Sequence, residues 1–285
     1  MTEGYAGWKA LIDLALAEDI GSGDLTTLAT VPVGTSATGV MVAKAPGVIS
    51  GLDAAAYALG QVDPAIVFTP KVADGDAVQP GDVIAELSGP ARSILTGERT
   101  ALNLLQRLSG VATIAAQFVA EVAGTGATIV DTRKTTPGLR ELEKAAVRHG
   151  GAQNHRFGLS DGVLIKDNHL AAIGGPDRVT KAVQAARRRA PHTVRVEVEV
   201  TTLAEVEEAA AAGADIIMFD NMSTEMMKEA VAIVAKRATT EASGGVRLET
   251  VRKIAETGVD LVSVGALTHS APSVDISLNF ALGDN

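Results

Sequence analysis

Apolar positions recur at helical spacing over residues 8–20, and the run stops at the break Gly21-Ser22-Gly23-Asp24, so the chain is expected to open with one amphipathic helix. Residues 39–49 read as a strand and 52–59 as a short helix, while residues 74–87 carry two turn signals, Asp74-Gly75 and Gln79-Pro80-Gly81-Asp82, between short apolar segments. Together they predict a small sheet with covering helices. Residues 91–122 have a helical pattern with a break at Ser109-Gly110, which predicts two consecutive helices, 91–108 and 111–122. Gly124-Thr125-Gly126 then reads as a linker.

Beyond the linker the rhythm changes. Short β-branched runs at 128–131, 163–165, 194–200, 215–219, weakly at 239–242, and at 260–264 are separated by amphipathic segments at 177–189, 203–212, 225–237 and 247–257. Repeated βα units of this length imply a parallel sheet with right-handed crossovers, either open and doubly wound or closed toward a barrel. Polar residues follow nearly every strand instead of clustering at one switch point, which favours an incomplete barrel. The class is α/β.

Composition narrows the chemistry. The chain has 285 residues, 46% of them hydrophobic but only 3% aromatic, which suits parallel strands under alanine-rich helices. It has no cysteine, so disulfides, thiolate nucleophiles, zinc ribbons and iron–sulfur clusters are excluded. A formal net charge of −9 without a basic stripe argues against nucleic-acid binding. No leader pattern is seen and no apolar run approaches the roughly 18 residues of a membrane span, so a cytoplasmic protein is expected.

Ligands of such folds bind at the carboxyl ends of the strands, and here those positions are polar. They read Asp131-Thr132-Arg133-Lys134-Thr135, Lys166-Asp167-Asn168-His169, Asp220-Asn221, Ser243-Gly244-Gly245, and Gly265 with His269 beyond. In Val196-Glu197-Val198-Glu199-Val200 alternation puts both glutamates on one face, directed into the barrel if the valines meet helices. Such a pair is either satisfied by neighbouring cations or used for ribose hydroxyls or a metal-bound polyphosphate. Arg133-Lys134 is either a solvated loop pair or an anion site, and His155-Arg156 lies in an irregular Gly-rich connection. Lys166, as an unpaired ammonium at the mouth, would invite a carboxylate or phosphate, or serve as a Schiff-base lysine. The small-residue loops at Ser243-Gly244-Gly245 and Gly265-Ala266 suit a phosphate.

The blocks Glu98-Arg99-Thr100-Ala101-Leu102-Asn103, Asp131-Thr132-Arg133-Lys134-Thr135, Asn154-His155-Arg156, Leu164-Ile165-Lys166-Asp167-Asn168-His169, Glu197-Val198-Glu199-Val200, Phe219-Asp220-Asn221, Ser243-Gly244-Gly245 and Val264-Gly265-Ala266-Leu267-Thr268-His269 together resemble the quinolinate phosphoribosyltransferase family. The likeness runs in order from about Leu16 to Ile276. It implies an N-terminal α/β sandwich domain over residues 1–110 and an open α/β barrel over 111–271, with a tail, 272–285, free to return to the first domain. It implies magnesium-dependent, decarboxylating reaction of quinolinate with phosphoribosyl pyrophosphate, in a homodimer or dimer-based hexamer with shared active sites.

By matching position, Arg99, Arg133, His155, Arg156 and Lys166 resemble the pocket for the two quinolinate carboxylates, with Arg99 reaching in from the partner subunit. Lys134, Glu199 and Asp220 resemble the catalytic groups around pyrophosphate, ribose and magnesium, the two carboxylates holding the metal directly or through water and pyrophosphate. Ser243, Gly244, Gly245, Gly265 and His269 resemble the 5′-phosphate end, and Thr132 and Ala266 fall in the same substrate-binding blocks. A relative associated with molybdenum transport, a Schiff-base aldolase using Lys166 and a non-catalytic anion binder are the competing readings.

Overall fold

The computed structural model describes residues 7–282, which divide into two compact units. One takes residues up to 116, 135–151 and from 270 onward, and the other takes 117–134 and 152–269. The units are therefore interleaved in sequence. Residues 283–285 of the expected tail lie outside the described residues.

The first unit contains α1 (Gly7–Ile20), α2 (Leu25–Thr30), β1 (Ser36–Ala43), β2 (Gly47–Val48), α3 (Leu52–Val62), β3 (Val67–Pro70), β4 (Ala77–Val78), β5 (Val83–Pro90), most of α4 (Ala91–Glu121), α5 (Arg140–His149) and β12 (Ile276–Leu282). Its main sheet is antiparallel in the order β12-β1-β5-β3, and β2 pairs with β4. Alternation in β1 buries Ala37, Met41 and Ala43 on one face, against a core that includes Ile84, Leu87 and Leu59. The Gly-Ser-Gly-Asp break conceals the start of α2, because Asp24 is its N-cap and accepts the Thr27 N–H at 3.0 Å.

The break expected at Ser109-Gly110 does not occur, since α4 is one helix of 31 residues. Both small residues serve close approach instead. The Ser109 hydroxyl accepts the Ser50 N–H at 3.1 Å, and a Cβ at Gly110 would collide with the carbonyl of Pro272.

The second unit contains β6 (Thr128–Val130), β7 (Val163–Ile165), α6 (Asp167–Ile173), α7 (Arg178–Arg189), β8 (Val196–Val200), α8 (Leu203–Ala212), β9 (Ile216–Asp220), α9 (Thr224–Val234), β10 (Thr239–Ser243), α10 (Leu248–Ala255), β11 (Leu261–Ser263) and α11 (Ala266–His269). Its six strands are parallel in the order β6-β11-β10-β9-β8-β7. The sheet leaves β6 and β7 unpaired with each other, so the barrel is open. Gln153 extends the β6 edge by one parallel bridge, donating to Ile129 O at 2.9 Å and accepting from Asp131 N at 3.1 Å. The helices covering the strands start at side-chain caps such as Thr202 and Ser223. Helix α9 stops at Val234, short of 237, because Ala235 and Lys236 adopt positive φ of 48° and 63°. Among the described residues no helix is long and apolar enough to cross a membrane.

Candidate active site at the carboxyl ends of the parallel strands

The second unit encloses a cavity of about 460 Å³ at the carboxyl ends of its strands. Each strand delivers side chains to it. Thr132, Arg133 and Lys134 follow β6, His155 and Arg156 follow the one-residue extension at Gln153, and Lys166 follows β7. Glu199 comes from β8, Asp220 from the end of β9, and Ser243, Gly244 and Gly245 from the end of β10. Strand period puts Glu197 and Glu199 on the inner face, while Val196, Val198 and Val200 are buried on the other.

The cations are of two kinds. Lys166 is not unpaired as the sequence suggested, for its Nζ lies 3.5 Å from Glu199 Oε2. Arg133 and Arg156, in contrast, each bury an Nε–H that has no hydrogen-bond partner within the protein. Arg156 is anchored by donating Nη1–H to Gly162 O at 2.9 Å, and its pKa is lowered by burial and by the neighbouring Arg133 charge. Two crowded guanidinium groups with unused donors make this wall a site for an anion that presents more than one oxygen.

Opposite charge is concentrated at Glu199 and Asp220. Burial raises the Glu199 pKa, Lys166 opposes that shift, and the Asp220 carboxylate adds to it. Asp220 accepts the Asn221 Nδ2–H at 2.8 Å. Two mutually repelling carboxylates opening into one cavity form an oxygen donor set that a hard divalent cation fits.

The loop after β10 is shaped by glycine. Gly244 has φ of 93°, and a Cβ there would collide with the Asn221 side chain. Gly265, Ala266 and His269 do not line the cavity, and Gly265 stands beside Lys134 and His269. A Cβ at Gly265 would lie 3.0 Å from Lys134 Cδ and 3.1 Å from His269 Nε2, and the Thr268 hydroxyl donates to Lys134 O at 2.9 Å. Arg99 is exposed on α4 in the first unit and does not line this cavity.

Sequence reasoning missed Glu241 and Ser263, which also line the cavity. Glu241 is fully buried in β10, and its pKa is pushed up to about 7 by burial and the nearby Glu197 charge. The signal is an acidic residue at a buried position of a weakly apolar strand.

An open α/β barrel whose strand ends combine paired guanidinium groups, a lysine, two carboxylates and a glycine loop defines a class of protein that handles anionic small molecules. Comparison with known proteins narrows the class. Residues 24–109 match the quinolinate phosphoribosyl transferase N-terminal domain and residues 111–279 match the C-terminal domain of the same family. A probable nicotinate-nucleotide pyrophosphorylase (carboxylating) of Bacillus subtilis is 45% identical over 276 residues, covering 97% of this chain and 94% of that protein. The nicotinate-nucleotide pyrophosphorylase (carboxylating) of Mycobacterium leprae is 46% identical over 272 residues, covering 93% and 94%. The crystal structure of NadC from Streptococcus pyogenes superposes with a TM-score of 0.93 at 42% identity, covering 100% of both chains. The chain belongs to the quinolinate phosphoribosyl transferase family.

Proposed function

We propose that this chain is a decarboxylating quinolinate phosphoribosyltransferase of NAD biosynthesis, joining quinolinate to phosphoribosyl pyrophosphate and releasing nicotinate mononucleotide, pyrophosphate and carbon dioxide. The observation that carries the proposal is the convergence of Arg133, Arg156 and Lys166 on one cavity. Two carboxylates on a rigid ring match those cations. Measuring pyrophosphate and carbon dioxide release from the two substrates tests it.

In this reading Arg133, Arg156 and Lys166 hold the quinolinate carboxylates and aim the ring nitrogen at C1 of the ribose. Lys134 faces the departing pyrophosphate, and Glu199 and Asp220 hold the ribose hydroxyls and stabilise positive charge as the C1–oxygen bond lengthens. Ser243, Gly244 and Gly245, with Gly265, Ala266 and His269 beyond, receive the 5′-phosphate on backbone N–H groups that no Cβ obstructs. Glu199 and Asp220 would also hold magnesium, whose charge would neutralise the leaving pyrophosphate. Once the ring nitrogen is alkylated its positive charge stabilises the electron pair left on C2 as the C2–carboxylate bond breaks, carbon dioxide leaves, and that pair takes a proton from solvent.

Arg99 belongs to the same proposal as a residue that reaches the cavity of a partner subunit in a dimer. The substrates are polyanions that do not cross a bilayer unaided, so the enzyme shares the compartment in which they are made, for which we propose the cytoplasm. The Schiff-base reading is disfavoured by the Lys166–Glu199 pair, because an ammonium held by a carboxylate is a poor amine nucleophile.

A further inference from the structure

Three buried carboxylates at or near the cavity have no part in the chemistry above. Asp131 follows β6, Glu197 lies in β8 and Glu241 in β10, and they are 0%, 3% and 0% exposed. All three face residues 154–156. Asp131 Oδ1 accepts the His155 N–H at 2.8 Å, and its Oδ2 accepts the Asn154 Nδ2–H at 2.7 Å. Glu197 Oε2 lies 2.9 Å from His155 Nε2, and Glu241 Oε1 lies 3.8 Å from the same atom. The other ring nitrogen, His155 Nδ1, accepts the Arg156 N–H at 2.7 Å.

That last contact separates two readings of the cluster. One histidine and two glutamates with ligand atoms within 4.8 Å of one another have the composition of a metal site. A metal on Nε2 takes the lone pair there and leaves the ring hydrogen on Nδ1, where it is normally donated to an acceptor. Here Nδ1 is itself the acceptor, so the hydrogen of the ring is on Nε2 and points at Glu197. An imidazolium is disfavoured for the same reason, since it would set an Nδ1–H against the Arg156 N–H.

We infer that Asp131, Glu197 and Glu241 are positioning residues of the quinolinate pocket, holding His155 as its neutral Nε2–H tautomer and thereby fixing the backbone from which Arg156 enters the cavity. The inference rests on the proposed function for the identity of the substrate, and on hydrogen-bond geometry for the tautomer. His155 then contributes a shaped ring to the wall, and the charge for the carboxylates comes from Arg133, Arg156 and Lys166. Glu197 additionally offsets the repulsion between the two guanidinium groups, as its opposing effect on Arg156 indicates. Glu197 lies on β8, whereas Lys134 and Ser243 to Gly245, proposed for the phosphoribosyl end, follow β6 and β10.

The test combines spectra and kinetics. With the five histidines labelled with ¹⁵N and His155 assigned through His155→Asn, the wild-type protein at pH 7.5 should show Nε2 protonated and Nδ1 bare. Glu197→Ala should raise KM for quinolinate about tenfold or more, while KM for phosphoribosyl pyrophosphate changes by about twofold or less. Glu197→Gln retains a carbonyl acceptor for Nε2–H and should restore KM to within about threefold of wild type. An imidazolium or Nδ1–H tautomer, a His155 ¹⁵N shift that responds to a chelator and so places a metal on Nε2, or an equal rise in both KM values would overturn the inference. Absence of wild-type turnover would overturn the substrate assignment instead. The spectra of wild-type protein need no substrate and no altered chain, so they decide the tautomer in either case.

Discussion

Lys166 Nζ and Glu199 Oε2 stand 3.5 Å apart across the mouth of the cavity, the ammonium from the end of β7 and the carboxylate from β8. The pair joins the two halves of the proposed site. In the proposed function an incoming carboxylate would share the lysine, and ribose or metal would share the glutamate.

Arg133→Ala and Lys166→Ala should each weaken quinolinate binding by about tenfold to a hundredfold, the range of a lost charge-assisted hydrogen bond. Folding should suffer little, because the Lys166 side chain is 48% exposed and such pairs contribute slightly to stability. Calorimetric titration alongside thermal melts checks this. Wild-type affinity in both variants would remove these residues from the pocket.

Nicotinate, which lacks the 2-carboxylate, should be turned over with kcat/KM lower by a factor on the order of 10²–10⁴, because a pocket built for two carboxylates leaves buried cations unsatisfied when one is missing. Competition between the two pyridines in one assay measures the ratio directly. Comparable turnover would point to a different acceptor.

The legible parts of this protein are those where one physical signal dominates. Alternation exposed the inward glutamates of β8, and β-branched runs located all six parallel strands, because strand patterning there is undisturbed by function. Helix α5 escaped notice since its buried stripe includes Glu143 and Lys144, 0% and 2% exposed, where periodicity looks for apolar residues. Glu143 accepts from Arg107, from the Thr136 N–H and from the Thr136 hydroxyl, partners that no local pattern reveals. The Ser109-Gly110 misreading has the same origin, for a glycine that breaks a helix and one that admits a neighbouring carbonyl look alike until the neighbour is known. The site residues could be named one by one, but the pairing of Lys166 and the orientation of His155 depend on side chains from strands far apart in sequence.

Glu241→Gln should alter the pH dependence of stability. The Glu241 carboxyl rises from its ordinary 4.5 to about 7 under burial and the Glu197 charge. Below about pH 4.5 folded and unfolded chains both hold the proton, and the group contributes no pH dependence. Between there and about pH 7 only the folded chain holds it, so stability falls as pH rises, by about 3 kcal/mol at most. Glutamine removes that decline. Denaturant unfolding at pH 5 and pH 8 should show the variant gaining on wild type at the higher pH, and parallel profiles would mean that Glu241 does not hold a proton in the folded protein.

Arg99 and Lys166 should complement each other across a dimer. Arg99 is exposed on α4, and in the proposed function it serves the cavity of a partner subunit. Arg99→Ala and Lys166→Ala should each be nearly inactive as homodimers. After subunit exchange a heterodimer has one site with both lesions and one with neither, so up to about half of the wild-type activity per heterodimer should return if the sites act independently. Mixing after partial unfolding and refolding, with exchange followed by tags on the two variants, provides the measurement. Demonstrated heterodimers without recovered activity would show that Arg99 does not serve a partner's site, and the shared-site arrangement would have to be abandoned.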